Sequence, residues 1–330
     1  MRRRDRVVGA VLGSAVGDAL GAPFEFGPAG AFGARFPDGE GKRFPYTASM
    51  CGGGGWDPGE ATDDTQMAVH LGEALLDAGG LDLPGIFERF RAWAAADPKD
   101  IGILTECVLG NGLPWDLAAQ IHFQTEGRAA GNGALMRAVT AAVRFAPLGR
   151  DATMDAARRI TALTHGDGAA WEGTAILHEM LRRALDGEDP LAALPLTLAA
   201  VRAEHRERWA GVLAEDWHPA LATESNGAAW PCLGSAVWAL RTTTAFPAAL
   251  RAVIDLGGDT DTTAAVTGAL AGAVYGEGAI PEGWLTPLHV PLPPTERVLR
   301  ARELKVLAEA LDAAGRASAR ARRMAGWAPS

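Results

Sequence analysis

The stretch Thr62-Asp63-Asp64-Thr65-Gln66-Met67-Ala68-Val69-His70-Leu71-Gly72-Glu73-Ala74-Leu75-Leu76-Asp77-Ala78 sets the reading of the fold. It opens with side chains that accept hydrogen bonds from free amides, as helix entrances do. Met67, Leu71, Ala74, Leu75 and Ala78 then fall on one helical face. The same spacing recurs in Ile86, Phe87, Phe90 and Ala94 after Pro84, and in Leu304, Leu307 and Leu311. Alternating runs of β-branched residues are almost absent, so the pattern predicts an all-α fold.

Working outward, Gly and Pro punctuate the chain into helices without dividing it into compositionally different halves. With 330 residues, 48% of them hydrophobic, one large core is expected, hence a single domain over 1–330 with a helical C-terminal tail. Gly268, Gly272 and Gly276 lie four apart and read as a ridge for close helix packing. Residues 21–61 are rich in Gly, Pro and aromatics, including Phe24, Phe26, Phe32, Phe36, Phe44 and Tyr46, which suggests an ordered lid or binding loop. The basic, Ala-rich residues 316–323 read as a solvated helix end.

A net charge of -9 argues against a chain that coats nucleic-acid phosphates, so no stable nucleic-acid partner is expected. Cys51, Cys107 and Cys232 are scattered, lack zinc-ligand spacing and suit a reducing cytoplasm. The basic start followed by residues 7–16 could pass for a signal peptide, but cleavage near Ala19 or Gly21 would remove residues the chemistry needs. No uninterrupted apolar run reaches the roughly 18 residues of a bilayer span, and no membrane association is expected.

A second oxygen-rich segment, Gly257-Gly258-Asp259-Thr260-Asp261-Thr262, also precedes a helical pattern. Capping accounts for one or two such side chains per helix, and for either segment alone it is the simpler explanation. Four in a row put carboxylates such as Asp63 and Asp64 in mutual repulsion. Brought face to face, the two segments could instead surround a hard divalent cation, which wants about six oxygens. Donors without His or Cys favour magnesium or manganese. Spacing alone cannot bring the two segments together.

Gly17-Asp18-Ala19-Leu20-Gly21-Ala22-Pro23-Phe24-Glu25, Trp56-Asp57-Pro58-Gly59-Glu60-Ala61-Thr62-Asp63-Asp64-Thr65-Gln66-Met67, Gly131-Asn132-Gly133-Ala134-Leu135-Met136-Arg137, Thr164-His165 and the Gly257 segment resemble, in order, the motifs of ADP-ribosylglycohydrolases. The resemblance spans about 7–276. It implies a compact, orthogonal multi-helix bundle with a metal-lined cleft. By motif match, Thr62, Asp63, Asp64, Asp259, Asp261 and Thr262 would hold two Mg2+ ions, with Mn2+ as a substitute. Glu25 would be the acid/base or water-positioning residue; without the motif it reads as a solvated loop carboxylate. Gly131, Asn132 and Gly133 form a turn that either grips phosphate through backbone N–H groups or simply leads into a helix, and the resemblance points to the diphosphate of ADP-ribose. His165, on its own a structural histidine, would contact a ribose.

Asp18 reads as a brace for the turn after the first helix, and Ser225-Asn226-Gly227 as another turn near the cleft. Just upstream of the Gly131 turn, Arg128-Ala129-Ala130 lacks the aromatic that some relatives stack on adenine; Phe123 is the substitute. The implied reaction is magnesium-dependent hydrolysis of the bond joining ADP-ribose to a protein, arginine-linked first, or to another conjugate. The alternatives are a metal hydrolase of a free nucleoside, nucleotide or ADP-ribose metabolite, and a non-catalytic ADP-ribose or metal-binding relative. Neither a GxSxG nor a GxxxxGK[ST] motif is present.

Overall fold

The computed structural model describes residues 1–37, 46–127 and 130–326. Among them are seventeen α-helices and one two-stranded sheet, so the predicted all-α class holds. The helix Asp63–Asp77 buries Met67, Leu71 and Leu75. Leu83–Ala94 buries Ile86, Phe87 and Phe90. Ala301–Met324 buries Leu304, Leu307 and Leu311, and its basic last turns are exposed. One contiguous apolar core runs from Val7 to Leu311.

At the centre, the first helix (Arg3–Gly21) lies against the helix Thr260–Tyr275. Their backbones meet through small residues. A Cβ added at Gly9, Gly13 or Gly17 would fall 2.3, 2.3 or 2.0 Å from the carbonyl oxygen of Gly272, Gly268 or Ala264. Only glycine allows that approach. The expected ridge is therefore real at Gly268 and Gly272, whereas Gly276 ends the helix at φ 81° and is no part of its face. This antiparallel seam sets Gly21 beside Asp261, and the Thr260 hydroxyl donates to the Gly21 carbonyl at 2.9 Å.

The first helix, extended to Phe24, is long and apolar enough to cross a bilayer, contrary to the expectation from uninterrupted runs. Asp18 falls inside it, and 94% of its most apolar window is buried within the protein. It is a core helix here.

The small sheet pairs His289–Pro291 with Val298–Arg300. Three-residue strands are too short to leave an alternating pattern, which is why the sequence did not reveal them. Ala61 N–H donates to the His289 carbonyl and His289 N–H to the Gly59 carbonyl, both at 2.9 Å, so this ribbon fixes the approach to the Asp63–Asp77 helix. Residues 21–61 contain short helices, Ala31–Arg35 and Tyr46–Ser49, in place of one long loop. Phe24, Phe32 and Phe36 are buried, with neighbouring ring centroids 5.3 and 5.1 Å apart. Phe44 lies outside the described residues.

Candidate active-site cleft

Thr62 is the N-cap of the Asp63–Asp77 helix, its hydroxyl accepting the Asp64 N–H at 3.3 Å. A second cap comes from another helix. Asp18, fully buried, accepts the backbone N–H groups of Thr62 at 3.0 Å and Thr65 at 3.1 Å, and also the Thr65 hydroxyl. Its role differs from the expected brace of its own turn: from inside the first helix it caps the entrance of the Asp63–Asp77 helix. The free amides it satisfies would otherwise be orphaned in the core.

The turn before Thr260–Tyr275 needs its two glycines, since Gly257 and Gly258 have φ of 73° and 71°. Asn226 clamps this turn: its amide donates to the Gly257 and Asp259 carbonyls at 2.9 and 3.1 Å, and its oxygen accepts the Asp259 N–H at 3.0 Å. The Ser225-Asn226-Gly227 segment is thus a turn at the cleft, as expected. Asn132 donates to Asp259 Oδ2 at 2.8 Å, while its own N–H is engaged by the Gly227 carbonyl at 3.0 Å. Its side chain therefore holds a carboxylate, which leaves the neighbouring glycines as the open part of the Gly131–Gly133 turn.

These two helix entrances converge. The Thr262 hydroxyl donates to Asp64 Oδ1 at 3.3 Å, joining residues 198 positions apart. Glu25 arrives from the loop after the first helix, which is pinned to the glycine turn by Phe26 N–H donating to the Gly258 carbonyl at 2.7 Å. Carboxylate oxygens of Glu25, Asp100 and Asp261 all lie within 4.8 Å of one another. Asp100 was missed in the sequence, where it follows the breaker Pro98 and belongs to no cluster; only its position just ahead of the Ile103–Gly110 helix hinted at it.

Glu25, Asp63, Asp64, Asp100, Asp259 and Asp261 line one cavity of about 350 Å3, with no Lys or Arg among its described lining residues. Burial, reinforced by neighbouring acids, pushes the Glu25 carboxyl up to about 8 and that of Asp63 up to about 7. Burial and the neighbouring Asp261 charge raise the Asp64 carboxyl, and burial and the Asp259 charge that of Asp261, well above the ordinary range. Asp64 Oδ2 and Asp259 Oδ1 are buried with no hydrogen-bond partner. Unpaired buried oxygens of this kind cost stability unless a cation or a proton meets them. The donor set is all oxygen, as hard divalent cations require, so these residues fit such a metal.

A second acidic group, Asp57, Glu60 and His289, already has its counter-charge: Lys99 reaches both Glu60 oxygens at 2.7 and 2.8 Å.

Gly131, Gly133 and His165 line the same cavity. His165 follows the end of the Arg150–Thr161 helix, and Asp167 caps the next, Gly168–Leu185. Burial and the Arg137 charge push its imidazole down to about 3, so it is neutral at physiological pH. Arg128 and Ala129 lie outside the described residues. Phe123 faces Gly166, where an added Cβ would come within 2.5 Å of it.

Comparison with known proteins places the fold in a family. The profile of the family described as ADP-ribosylglycohydrolase matches residues 1–321. The chain is 33% identical over 294 residues to the ADP-ribosyl-[dinitrogen reductase] glycohydrolase of Rhodospirillum rubrum, covering 87% of this chain and 91% of the relative. It is 30% identical over 306 residues to the ADP-ribosylarginine hydrolase Tri1 of Serratia proteamaculans (strain 568), covering 86% and 75%. A solved ADP-ribosylglycohydrolase-related protein complex superposes with a TM-score of 0.72 at 34% identity, covering 95% of this chain and 99% of that one.

Proposed function

Because this chain belongs to the ADP-ribosylglycohydrolase family, whose named members are hydrolases of glycosyl bonds, we propose that it releases ADP-ribose from modified protein in a magnesium-dependent reaction. Arginine-linked ADP-ribose is the first substrate assigned, in keeping with the named activity of the Serratia relative. The observation that carries this reading is the meeting of Asp64 with Thr262 in a cleft of six carboxylates, two of which keep a buried oxygen unpartnered.

Thr62, Asp63, Asp64, Asp259, Asp261 and Thr262 would hold two Mg2+ ions, and Mn2+ could replace them. When bound, these ions supply stabilisation of the charge that develops on the ribose and the attacking water. The chain supplies orientation and proton handling. Asn132 and Asn226 hold Asp259 and its turn from both sides. Asp18 holds the Asp63–Asp77 entrance. Glu25, raised into the neutral range by burial and by Asp100, accepts or returns a proton at the water. Gly131 and Gly133 receive the diphosphate and His165 a ribose, so the glycosidic carbon is held in one orientation. The whole chain acts as one domain, and its three free cysteines support a cytoplasmic setting.

The test is to incubate the protein with arginine-, serine- and nucleic-acid-linked ADP-ribose and with a free nucleotide, with Mg2+ and with chelator, and to identify the products. Release from the arginine conjugate, abolished by chelator, is expected. Release from a free nucleotide alone would assign a different hydrolase, and binding of ADP-ribose without any turnover would assign a non-catalytic relative.

A further inference from the structure

Arg137 is 1% exposed, an unusual site for a guanidinium. It follows the Gly131–Gly133 turn and reaches away from it. Its Nη2 donates to Thr164 Oγ1 at 2.6 Å, and Thr164 Oγ1 lies 2.8 Å from His165 Nδ1. Among the described residues, His165 Nδ1 is the only acceptor within reach of the Thr164 hydroxyl, which is fully buried. Arginine has only donors, so Thr164 must spend a lone pair on it. The single hydroxyl proton then has one place to go. If Nδ1 carried a proton, two N–H groups would converge on Thr164 and its own O–H would be left unsatisfied in the core, which costs about 1–3 kcal/mol.

From this geometry we propose that Arg137 and Thr164 form a positioning relay that fixes His165 as its neutral Nε2–H tautomer, presenting a permanent hydrogen-bond donor to an acceptor oxygen of the ligand beside Gly131 and Gly133. The ring edge is turned towards those glycines: a Cβ on either would sit 3.6 Å from Nε2. The absence of side chains leaves that space to the cleft, which all three residues line. The only hydrogen bond made by the ring among the described residues is that of Nδ1, which leaves Nε2 free. The ligand half of the inference rests on the functional reading above; the relay itself does not.

Two consequences follow from the tautomer. With Nδ1 occupied by a hydroxyl proton and Nε2 protonated, the ring has no lone pair for a metal, which keeps the cleft's donor set to oxygen. The ring also has no free basic nitrogen facing the substrate, so it orients substrate and moves no proton.

The test reads the ring nitrogens of 15N-labelled, ligand-free protein by NMR, the His165 signals being identified by their loss in His165→Gln. The wild type should show the Nε2–H tautomer unchanged between about pH 6 and about pH 8. Thr164→Val should lose that preference and weaken ADP-ribose binding in Mg2+ about tenfold, and Thr164→Ser should restore both. Because Arg137 is deep in the core, Arg137→Lys is the second variant: it keeps a donor and should retain the tautomer. An Nδ1–H ring in the wild type would overturn the relay, as would a folded Thr164→Val protein with tautomer and affinity unchanged. If wild-type protein does not bind ADP-ribose, the functional reading and the ligand half fall together, while the ligand-free spectrum still decides the relay.

Discussion

Two regions of this molecule that bury carboxylates treat them in opposite ways. On the Gly168–Leu185 helix, Glu172 and Glu179 are fully buried, yet each is matched by guanidinium groups. Glu172 meets Arg158 at 2.7 Å through two bonds, and Glu179 meets Arg182 at 2.6 and 2.8 Å and Arg183 at 2.7 Å. In the cleft, six carboxylates share one cavity without a lining Lys or Arg among the described residues. The first arrangement completes its own charge balance on folding. The second lacks a protein counter-charge among the described lining residues, as the proposed cation site requires, whereas the first serves the fold.

The sharpest way to break this contrast is to remove one acid from each region. Asp259→Ala should lower magnesium-stimulated ADP-ribose release by more than about a hundredfold while leaving the circular dichroism spectrum unchanged. Wild-type turnover in that variant would remove Asp259 from the site. Glu179→Ala should do the reverse: about 3 kcal/mol less stable in urea, because Arg182 and Arg183 lose their buried partner and keep only the exposed Asp186 and Glu188, with turnover per folded molecule unchanged.

Packing supplies the next effect. Gly272→Ala places a methyl 1.9 Å from the Gly9 carbonyl oxygen, so the seam must open. A loss of about 1–3 kcal/mol is expected, together with weaker Mg2+ binding, because the seam sets the ends of both helices that frame the acids. Tight Mg2+ binding in a destabilised variant would show that the acids are held by local turns alone.

A smaller effect is the pH dependence of the metal-free protein. Cleft carboxyls raised in the folded state bind more protons there than when unfolded, so their contribution to stability is present at low pH and is lost as pH rises. The window runs from their unfolded values near about 4 up through about 7 for Asp63 and about 8 for Glu25. His70, His165 and His178, lowered by burial to about 4, 3 and 4, act with the opposite sign, and only below their unfolded value of about 6.5. Between about pH 7 and about pH 8 the carboxyls act alone, and the metal-free Tm should fall across that interval. Saturating Mg2+ should flatten the slope; a slope equally steep with and without the ion would separate these acids from metal binding.

Much of this was legible in the sequence, for reasons that differ residue by residue. The Asp63 and Asp259 segments announced themselves because helix capping and cation binding both demand oxygen at a helix entrance. The apolar stripes that became the core were readable from their period. The glycine ridge was readable too, but its partner helix was not, because Gly9, Gly13 and Gly17 resemble any small residues until two backbones meet. Asp100 escaped since a solitary loop acid has no pattern, and its importance comes from lying near Glu25 and Asp261 in space. Asp18 was noticed but sent to the wrong partner: sequence reasoning looks for caps among neighbours, and this cap crosses 44 positions to Thr62. The small ribbon at His289 was hidden by its three-residue strands.

The cleft acids can serve the proposed reaction only if they take up divalent cations. Chelator-treated protein titrated with Mn2+ at neutral pH, with bound ions counted by electron paramagnetic resonance, should bind two ions per chain. Asp64→Asn should bind fewer, and its metal-free form should melt higher than wild type because one repulsive charge is gone. A folded wild-type chain that binds no Mn2+ would contradict the claim.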